Sequence, residues 1–440
     1  MAIAKTSIIY FIAQIVALIF GLGTDIVISR NLGAAGRGSY YLVVTTYTMA
    51  AGVAILAMNY ASTYMLAKSK ATVVEVHGVV IAYVFLAAAI AGMLLLFLSR
   101  LFPGALGLQL KSNLYIIIIM LTIELYRQCW FGMMIGMSRV VTLAIINLTL
   151  SCLSLITMIA LLNIFHLGLR GAFWGLLFNS LMSLLLMVWI VLKVSKGFCL
   201  ARFGLLKEML KYGGIAHAGN AAVQLYQRIG IYFLTITRGM AEVGNFTLSL
   251  TMAEKQLLAL NAVNVAANYE IIGNDRKSSE LLMATILRFS VVLLVIICTL
   301  ALVCSHWIVR VLYGQHYLHA VSLLMILLPG TSFLGLASMI SNYFSGQLGK
   351  PYITSIISII FLCISVPLYY CFIKLMGSIG AAFVISSVYV FHFLVLLVLF
   401  SKMSGLSLRK SLLINNNDIS KIPLSKLLGK FQRYQTRRIP

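Results

Sequence analysis

The stretch ISRNLGAAGRGSYYL, residues 28–42, places three glycines and two arginines between two long apolar segments. Glycine-rich turns hold phosphates in nucleotide-binding proteins, where the turn follows a strand and begins a helix inside a soluble domain. The segments on either side decide whether this stretch holds a phosphate or only connects two helices. Both are apolar over about 20 residues or more, which is the length of helix that crosses the hydrocarbon core of a bilayer. The stretch therefore predicts a turn between two membrane-spanning helices, and not a phosphate loop.

The composition places the whole chain in the membrane class. Hydrophobic residues make up 61% of the 440 positions and charged residues 10%, with a mean hydropathy of +1.02. Ordinary soluble domains are about 45 to 50% apolar and about 25% charged. We therefore expect an integral membrane protein without a soluble domain.

Apolar windows of spanning length follow one another along nearly the whole chain. Twelve are predicted, at residues 7–29, 39–67, 77–99, 113–136, 141–165, 171–193, 212–237, 241–270, 281–305, 319–347, 352–373 and 378–401. The first resembles a signal peptide because Lys5 precedes it. It reaches full spanning length, however, and eleven further windows follow, so we expect it to remain uncleaved.

The distribution of lysine and arginine predicts the orientation, since cytoplasmic connections carry an excess of both. With the N-terminus inside, the short connections hold twelve such residues on the cytoplasmic side and eight outside, among them Arg37. The tail adds nine more against one acid, Asp418. Both termini are therefore expected in the cytoplasm. The basic residues that give the net charge of +23 are spread along these connections and the tail. We therefore expect the tail to bind anionic membrane lipids and not nucleic acid.

A second glycine turn, TITRGMAEVGNFTLSL at residues 235–250, lies about halfway along the chain. At a shift of 206 residues, Gly33 aligns with Gly239 and Gly38 with Gly244. A weaker match, at a shift of 213, pairs WFGMMIG (130–136) with YFSGQLG (343–349). The spans thus divide into six plus six. An even number in each half gives both halves the same orientation, as in transporters that rock two lobes around a central site.

The pattern as a whole predicts an all-α polytopic membrane protein. Twelve transmembrane helices would form two six-helix lobes, related by a parallel pseudo-repeat around a central cavity. The expected organisation is an N-terminal lobe at residues 1–194, a basic cytoplasmic connector at 195–211, a C-terminal lobe at 212–401 and a basic cytoplasmic tail at 402–440.

The turn RNLGAAGRGSYYL (30–42), the segment FSGQLGK (344–350), the length and the number of spans resemble a known group. It is the polysaccharide-transport branch of the multidrug/oligosaccharidyl-lipid/polysaccharide exporter superfamily, and within it the O-antigen flippases of the Wzx type. The resemblance implies a bacterial inner-membrane flippase for undecaprenyl-diphosphate-linked oligosaccharides. It would work by alternating access without ATP hydrolysis, beside other membrane proteins of polysaccharide assembly. A cation-coupled multidrug exporter of the same superfamily stays open as an alternative.

Charged side chains deep inside the spans mark a candidate site, because each costs roughly 2.5 to 3.5 kcal/mol at mid-membrane. Polar residues also recur along one face of the seventh span, and the first and eighth spans show similar stripes. Arginine and lysine suit a diphosphate, and amides suit sugar hydroxyls. The expected substrate-binding residues are Arg228, Arg127, Lys255, Gln14, Asn220, Gln224 and Asn261, and the candidates for ion coupling are Asp25, Glu124 and Glu254.

Some of these residues have a structural alternative. Glu124 and Arg127 stand three positions apart and can neutralise each other on one helix face. Lys255 can pair with a neighbouring carboxylate such as Asp25. Arg228 has no acid on its own stripe, so a substrate role is favoured for it.

No enzyme is predicted from these motifs. The chain has no P-loop lysine motif and no histidine spacing for a metal, so we expect no catalytic residue, no metal and no cofactor. A membrane glycosyltransferase or polysaccharide polymerase is the alternative from a different class. Such an enzyme is expected to carry a large periplasmic loop, whereas every predicted outer connection here is short.

The predicted topology can be tested with single cysteines in a chain that lacks its native cysteines. Ser195→Cys, at the start of the basic connector, is expected to resist a membrane-impermeant thiol reagent added outside intact cells, because the connector should be cytoplasmic. Arg170→Cys, in a predicted outer connection, is the control that should react. Labelling of Ser195→Cys from outside would overturn the orientation.

Overall fold

The structure, a computed structural model, describes residues 2–101, 114–195, 202–261, 263–264, 275–408 and 412. Regular structure within these residues is helical, and the predicted all-α class is confirmed. The helices are α1 (Ala2–Ala54), α2 (Met58–Ala67), α3 (Val73–Leu101), α4 (Leu114–Gly136), α5 (Val140–Ile159), α6 (Gly168–Ser195), α7 (Phe203–Thr237), α8 (Met240–Glu254), α9 (Arg276–Leu312), α10 (His319–Asn342) and α11 (Pro351–Ser404). Two π-helical turns, Ala160–Ile164 and Tyr343–Gln347, extend α5 and α10, and a 3-10 turn, Gln315–Tyr317, precedes α10.

Helices α1 and α11 each contain two membrane passes. Gly33 and Gly377 interrupt them with non-helical backbone. The chain reverses at Gly33, since the Tyr41 hydroxyl donates to Asp25 at 2.6 Å across 16 positions of sequence. A straight helix would hold these residues about 24 Å apart. With both helices counted twice and α2 as the continuation of the second pass, the described chain makes twelve passes, as predicted.

The glycine turn is much shorter than the sequence indicated. Spans ending at residue 29 and resuming at 39 were expected, but the helices reach Leu32 and resume at Ala34, so that Gly33 alone forms the turn. Its φ of 64° and ψ of −177° lie where only glycine is free of steric strain. Gly239 (φ 85°, ψ 179°) and Gly314 (φ 95°, ψ 174°) adopt nearly the same conformation. A single glycine therefore suffices where a loop was predicted.

The Gly33 and Gly239 turns pack against each other through backbone atoms. A methyl group on Gly38 would overlap the Met240 carbonyl oxygen, and one on Gly244 would overlap the Ala34 carbonyl oxygen. At the shift of 206 residues, 34 corresponds to 240 and 38 to 244, so the contact maps onto itself when the two halves are exchanged. Contacts of this kind lie on a twofold axis. They support the parallel repeat that the glycines predict.

The second sequence match has the wrong register. Gly136 lies inside the end of α4 and packs against the backbone of Thr63, so it serves a helix contact and not a turn. The left-handed residues that follow the fourth and tenth passes are Ser138 (φ 57°) and Gly349 (φ 62°). Their spacing, 349 minus 138, is 211 residues. The predicted shift of 213 is therefore wrong, although the repeat itself holds.

Polarity sets two helices apart from the rest. Eight helices in the described part of the chain are long and apolar enough to cross a membrane on length and composition alone. Neither α7 nor α8 is among them, and α8 ends at Glu254 after 15 residues. Polar side chains at membrane depth must face protein or water. Helices α7 and α8 are therefore suited to the interior, where the Gly244 contact places α8 against α1.

Several predicted features lie outside the described residues. They include connector residues 196–201 and most of the basic tail.

The backbone contact predicts that Gly38→Ala destabilises the protein. Overpacking a close contact typically costs about 1 to 3 kcal/mol, because neighbouring backbone must move to make room. Thermal unfolding of the purified protein should occur at a lower temperature than in the unmodified chain. Gly21→Ala is the matched control, since no atom lies within 4 Å of a methyl group placed there. Equal stability of the two variants would contradict the close contact.

Candidate functional site

Asp25, near the Gly33 end of the first pass, is the centre of a buried cluster. Arg37 is fully buried and donates to the Asp25 carboxylate and, at 2.8 Å, to the Ser29 hydroxyl. Tyr41 donates to Asp25 Oδ1 at 2.6 Å, and its ring centroid lies 4.2 Å from the Arg37 guanidinium. A buried charge is tolerated only when it is paired and hydrogen-bonded. The carboxylate and guanidinium therefore stabilise each other as one unit.

The second half of the chain completes this cluster. Tyr313 donates to Asp25 Oδ2 at 3.0 Å, and Tyr317 donates to the Ser29 carbonyl oxygen at 3.0 Å. Thr251 accepts from the cluster's guanidinium at 3.2 Å. Burial raises the pKa of Tyr317 to about 12, so its hydroxyl keeps the proton that it donates. These contacts join the two halves on the side of the Gly33 turn, and we call the whole the Asp25 cluster.

The cluster corrects two sequence-based expectations. Arg37 was counted among the outer connections, but the one-residue turn places it in the second pass, fully buried. Lys255 was a possible partner for Asp25, and the partner is Arg37 instead. The signal was present in the sequence: a hairpin centred on Gly33 sets Asp25 opposite Tyr41, eight positions to either side. An arginine one helical turn away from Tyr41 can then reach the same carboxylate.

Arg228 and Glu254 form an ion pair between α7 and α8. Arg228 Nη2 donates to Glu254 Oε2 at 2.9 Å, and the two side chains are 29% and 22% exposed. The sequence placed the two residues on separate polar stripes without joining them. The pair is therefore partly accessible, unlike the buried Asp25 cluster. Arg228 is consequently neutralised in this conformation.

Glu124 and Arg127 form an ion pair on α4. This is the structural alternative that their spacing of three positions predicted. Arg127 donates from Nε at 2.7 Å and from Nη2 at 2.6 Å to the two carboxylate oxygens, which is a bidentate geometry. Gln128 adds a third donor at 3.0 Å. The Glu124 side chain is buried, while that of Arg127 is 45% exposed. The guanidinium therefore keeps part of its surface available to another ligand.

The charges of the three deep acids are thus matched one to one by arginines. The candidate site also includes Lys255, half-buried in the turn after α8. It pairs with none of the carboxylates in the described part of the chain. Among the described residues of the candidate site, the charges therefore balance except for this one positive charge, which favours an anionic ligand over a cationic one.

The predicted amides occupy different surroundings. Gln14 and Gln224 are half-buried, and Gln224 lies against Gly52 of the second pass, where a side chain in place of glycine would overlap it. Asn220 and Asn261 are exposed. The structure does not join these four by hydrogen bonds among the described residues. It brings together the acids and arginines, whereas the amides remain separate positions along α1, α7 and the segment after α8.

Gln256 is a buried polar residue that the sequence stripes did not single out. It donates to the Leu328 carbonyl oxygen at 2.7 Å and to the Thr331 hydroxyl, and its own carbonyl accepts from Ser332 at 3.2 Å. All three partners lie on α10. The hydrogen bonds of Gln256 therefore attach the segment that follows Glu254 and Lys255 to α10. Its role is to position these two charged residues.

Comparison with known proteins gives one family match and several structural matches. Residues 138–322 match the family of polysaccharide biosynthesis proteins. No curated protein matches the chain in sequence. Among solved structures, the inward-facing conformation of a multidrug resistance MATE family transporter of the MOP superfamily has a TM-score of 0.67 at 15% identity, covering 90% of this chain and 96% of that one.

Two further structures have named sources. A variant of the Vibrio cholerae MATE transporter VcmN has a TM-score of 0.63 at 14% identity and covers 92% of this chain and 99% of its own. A MOP superfamily transporter from Pyrococcus furiosus, whose reversed pocket polarity is described as suggesting a different function, has a TM-score of 0.65 at 17% identity and covers 92% and 95%. The chain has the fold of these transporters, and its predicted resemblance to polysaccharide exporters is supported by the family match of residues 138–322.

Proposed function

We propose that this protein is a flippase that carries an undecaprenyl-diphosphate-linked oligosaccharide across a bacterial inner membrane, with both termini in the cytoplasm. The two lobes, residues 1–194 and 212–401, would rock around a central site. The observation that carries the proposal is the charge balance of the interior: three acids are matched by three arginines, and Lys255 remains without an acid among the described residues. Such a site attracts a diphosphate.

The guanidinium groups suit the same substrate. Arg127 is bidentate to Glu124 and still 45% exposed, and Arg228 is paired through one nitrogen only. A diphosphate can therefore bind the open faces of both, or compete with Glu254 for Arg228. Arginine binds phosphate through a planar fork of donors, which fixes orientation as well as charge. Gln14, Asn220, Gln224 and Asn261 are the proposed donors and acceptors for the sugar hydroxyls.

The Asp25 cluster supplies a closed side for alternating access. It joins the two halves next to the Gly33 turn, and Arg30 adds a bond to the Leu312 carbonyl oxygen at 2.8 Å. The lobes must separate here before a substrate can leave on that side. We assign Asp25 to this seal, because its carboxylate already accepts from Arg37, Tyr41 and Tyr313. Glu254 is then the best candidate for ion coupling, since a cation bound to it would release Arg228.

A cation-coupled multidrug exporter is the alternative within the same fold. It would bind its cationic substrate through unpaired acids, whereas Asp25, Glu124 and Glu254 all face arginines here. The Pyrococcus furiosus transporter supports using pocket polarity to separate functions in this fold. We also propose that the protein is not a polymerase or a glycosyltransferase, because the solved structures that share its fold are transporters.

The Arg228–Glu254 pair gives the sharpest test of the site. Arg228→Ala is expected to lower complementation of a flippase-deficient strain roughly 10- to 150-fold. This factor corresponds to the free energy of one lost charge-assisted hydrogen bond. Arg228→Lys should restore only part of it, since a point charge replaces the fork. Lys255→Gln should also lose activity while leaving every acid paired. Arg310→Ala, which removes an exposed arginine at the end of α9, is the control and should remain active.

A double variant separates a role of the pair in transport, through substrate binding at Arg228 or ion coupling at Glu254, from a role in packing. Arg228→Gln combined with Glu254→Gln removes both charges, so no unpaired acid is left in the interior. If Arg228 only neutralises Glu254, the double variant regains the activity that Arg228→Ala lost. We expect it to stay inactive at normal protein level in the membrane. Recovery, or loss of protein in place of activity, would assign the pair to packing.

Deletion of the gene tests the substrate class. We expect loss of a surface polysaccharide together with accumulation of its lipid-linked repeat unit on the cytoplasmic side, because the unit can no longer cross. Extraction and chemical analysis of the accumulated lipid would identify the sugars. Sensitivity to cationic dyes with an intact surface polysaccharide would instead assign the protein to drug export.

A further inference from the structure

A groove separate from the central site lies on the outer surface of the first six passes. It is a cavity of about 370 Å³ between α5 and α6. Its walls are mostly apolar, formed by Ile145, Ile146, Leu186, Ile190 and Val194. Trp189 and Ile145, which line it, are 59% and 53% exposed, so the groove is open at the surface of the chain. In a membrane, a surface of this kind faces the hydrocarbon chains of lipid.

Two cations stand at one end of this groove. Arg139 immediately precedes α5, and Lys193 lies near the end of α6, with Nζ 5.1 Å from the centroid of the Trp189 ring. Both are exposed, and neither pairs with a carboxylate in the part of the chain that the structure describes. This end belongs to the side of the membrane that holds the termini, which the topology predicts to be the cytoplasmic side. Cationic and aromatic residues at this depth lie at the level of lipid headgroups.

The first turn of α5 adds backbone donors to the same end. The N-terminal N–H groups of a helix have no partner inside the helix, and no side chain caps those of α5. Thr142, in this first turn, lines the cavity. Donors at a helix N-terminus, together with Arg139 and Lys193, converge on the position of an anion. The apolar walls continue from there towards the middle of the membrane.

We propose that this groove binds one anionic glycerophospholipid of the cytoplasmic leaflet. Its phosphate lies between Arg139 and Lys193, Trp189 packs against the glycerol region, and one acyl chain follows the walls of Ile145 and Leu186. The volume is near the lower end of the roughly 300 to 1,000 Å³ range of small-ligand sites, which fits a headgroup and a chain segment and not an oligosaccharide. The site lies within one half and not between the two, so it is independent of the proposed transport.

The other half of the chain provides a matched control. The turns before the sixth and twelfth passes contain Gly168 and Gly377, both with positive φ and 209 residues apart. The same shift relates Lys193 to Lys402, while Trp189 corresponds to Val398. Lys350 precedes α11 as Arg139 precedes α5. The second half therefore keeps an exposed pair of cations but lacks the tryptophan.

Native mass spectrometry of the full-length protein, titrated with phosphatidylglycerol or with phosphatidylcholine, tests the proposal. We expect tighter binding of phosphatidylglycerol. The variant Arg139→Gln/Lys193→Gln should weaken it roughly 25-fold, since each charge near a membrane surface contributes roughly fivefold. Trp189→Val should weaken both lipids. Lys350→Gln/Lys402→Gln should change neither, and thermal unfolding of all variants should match that of the unmodified chain because the residues are exposed.

Other results would overturn the assignment. Equal binding of the two lipids, or equal loss in the two double variants, would mean that no specific site exists. Displacement of phosphatidylglycerol by inorganic phosphate would identify a bare anion site without a lipid. Preferential displacement by undecaprenyl phosphate would make the groove a site for the carrier lipid of the substrate. A double variant that unfolds at a lower temperature, with its lipid binding unchanged, would assign the two cations to folding.

Discussion

The two halves of this protein meet through backbone, without intervening side chains, where the Gly33 and Gly239 turns touch. Gly38 and Gly244 each lie against a carbonyl oxygen of the opposite half. Small residues at helix contacts allow such an approach, and in a bilayer close packing is a principal source of helix association. The position of Thr251 against Arg37, and with it the reach of Tyr313 to Asp25, depends on this approach. The close contact between the halves therefore depends on the absence of two side chains.

The backbone repeat is not matched by a chemical repeat. The first and second passes are joined by an acid followed by a base, Asp25 and Arg37, whereas the seventh and eighth are joined by a base followed by an acid, Arg228 and Glu254. The first pair is buried and lies near the glycine turn, and the second is partly exposed and lies deeper. In the proposed transport cycle, the two halves would share a scaffold but divide the tasks of closing one side and of binding the substrate.

Hydropathy and glycine positions were sufficient to predict the class, the number of passes and the register of the first repeat, because these follow from local physical requirements. Span length follows from bilayer thickness, and a one-residue reversal requires a positive φ such as that of Gly33. The ion pairs were harder to predict. Glu124 and Arg127 share a helix face and could be paired from their spacing, but Arg228 and Glu254 are on different helices.

Arg37 is a residue whose burial the sequence pattern alone did not predict. A basic residue near the end of a span is ordinarily counted in a connection, and only the length of the turn decides otherwise. Once Gly33 is known to turn alone, Arg37 is buried, and the predicted outer set falls from eight basic residues to seven. The excess of basic residues on the predicted cytoplasmic side over the outer side becomes larger as a result. Gln256 could not be singled out, because its partners on α10 lie more than 70 positions away.

The described turns on the Gly33 side are very short, with Gly33 and Gly377 each reversing the chain as a single residue and Gly239 starting α8 directly after α7. Among the described residues, these turns offer an aqueous partner little surface on that side. Its lipid-facing sides, by contrast, carry large apolar residues such as Trp174, Val303 and Leu375, which are 60%, 78% and 77% exposed. A partner of the proposed flippase that bound these apolar surfaces would approach within the plane of the bilayer. Recognition between such proteins would be a matter of helix against helix in lipid.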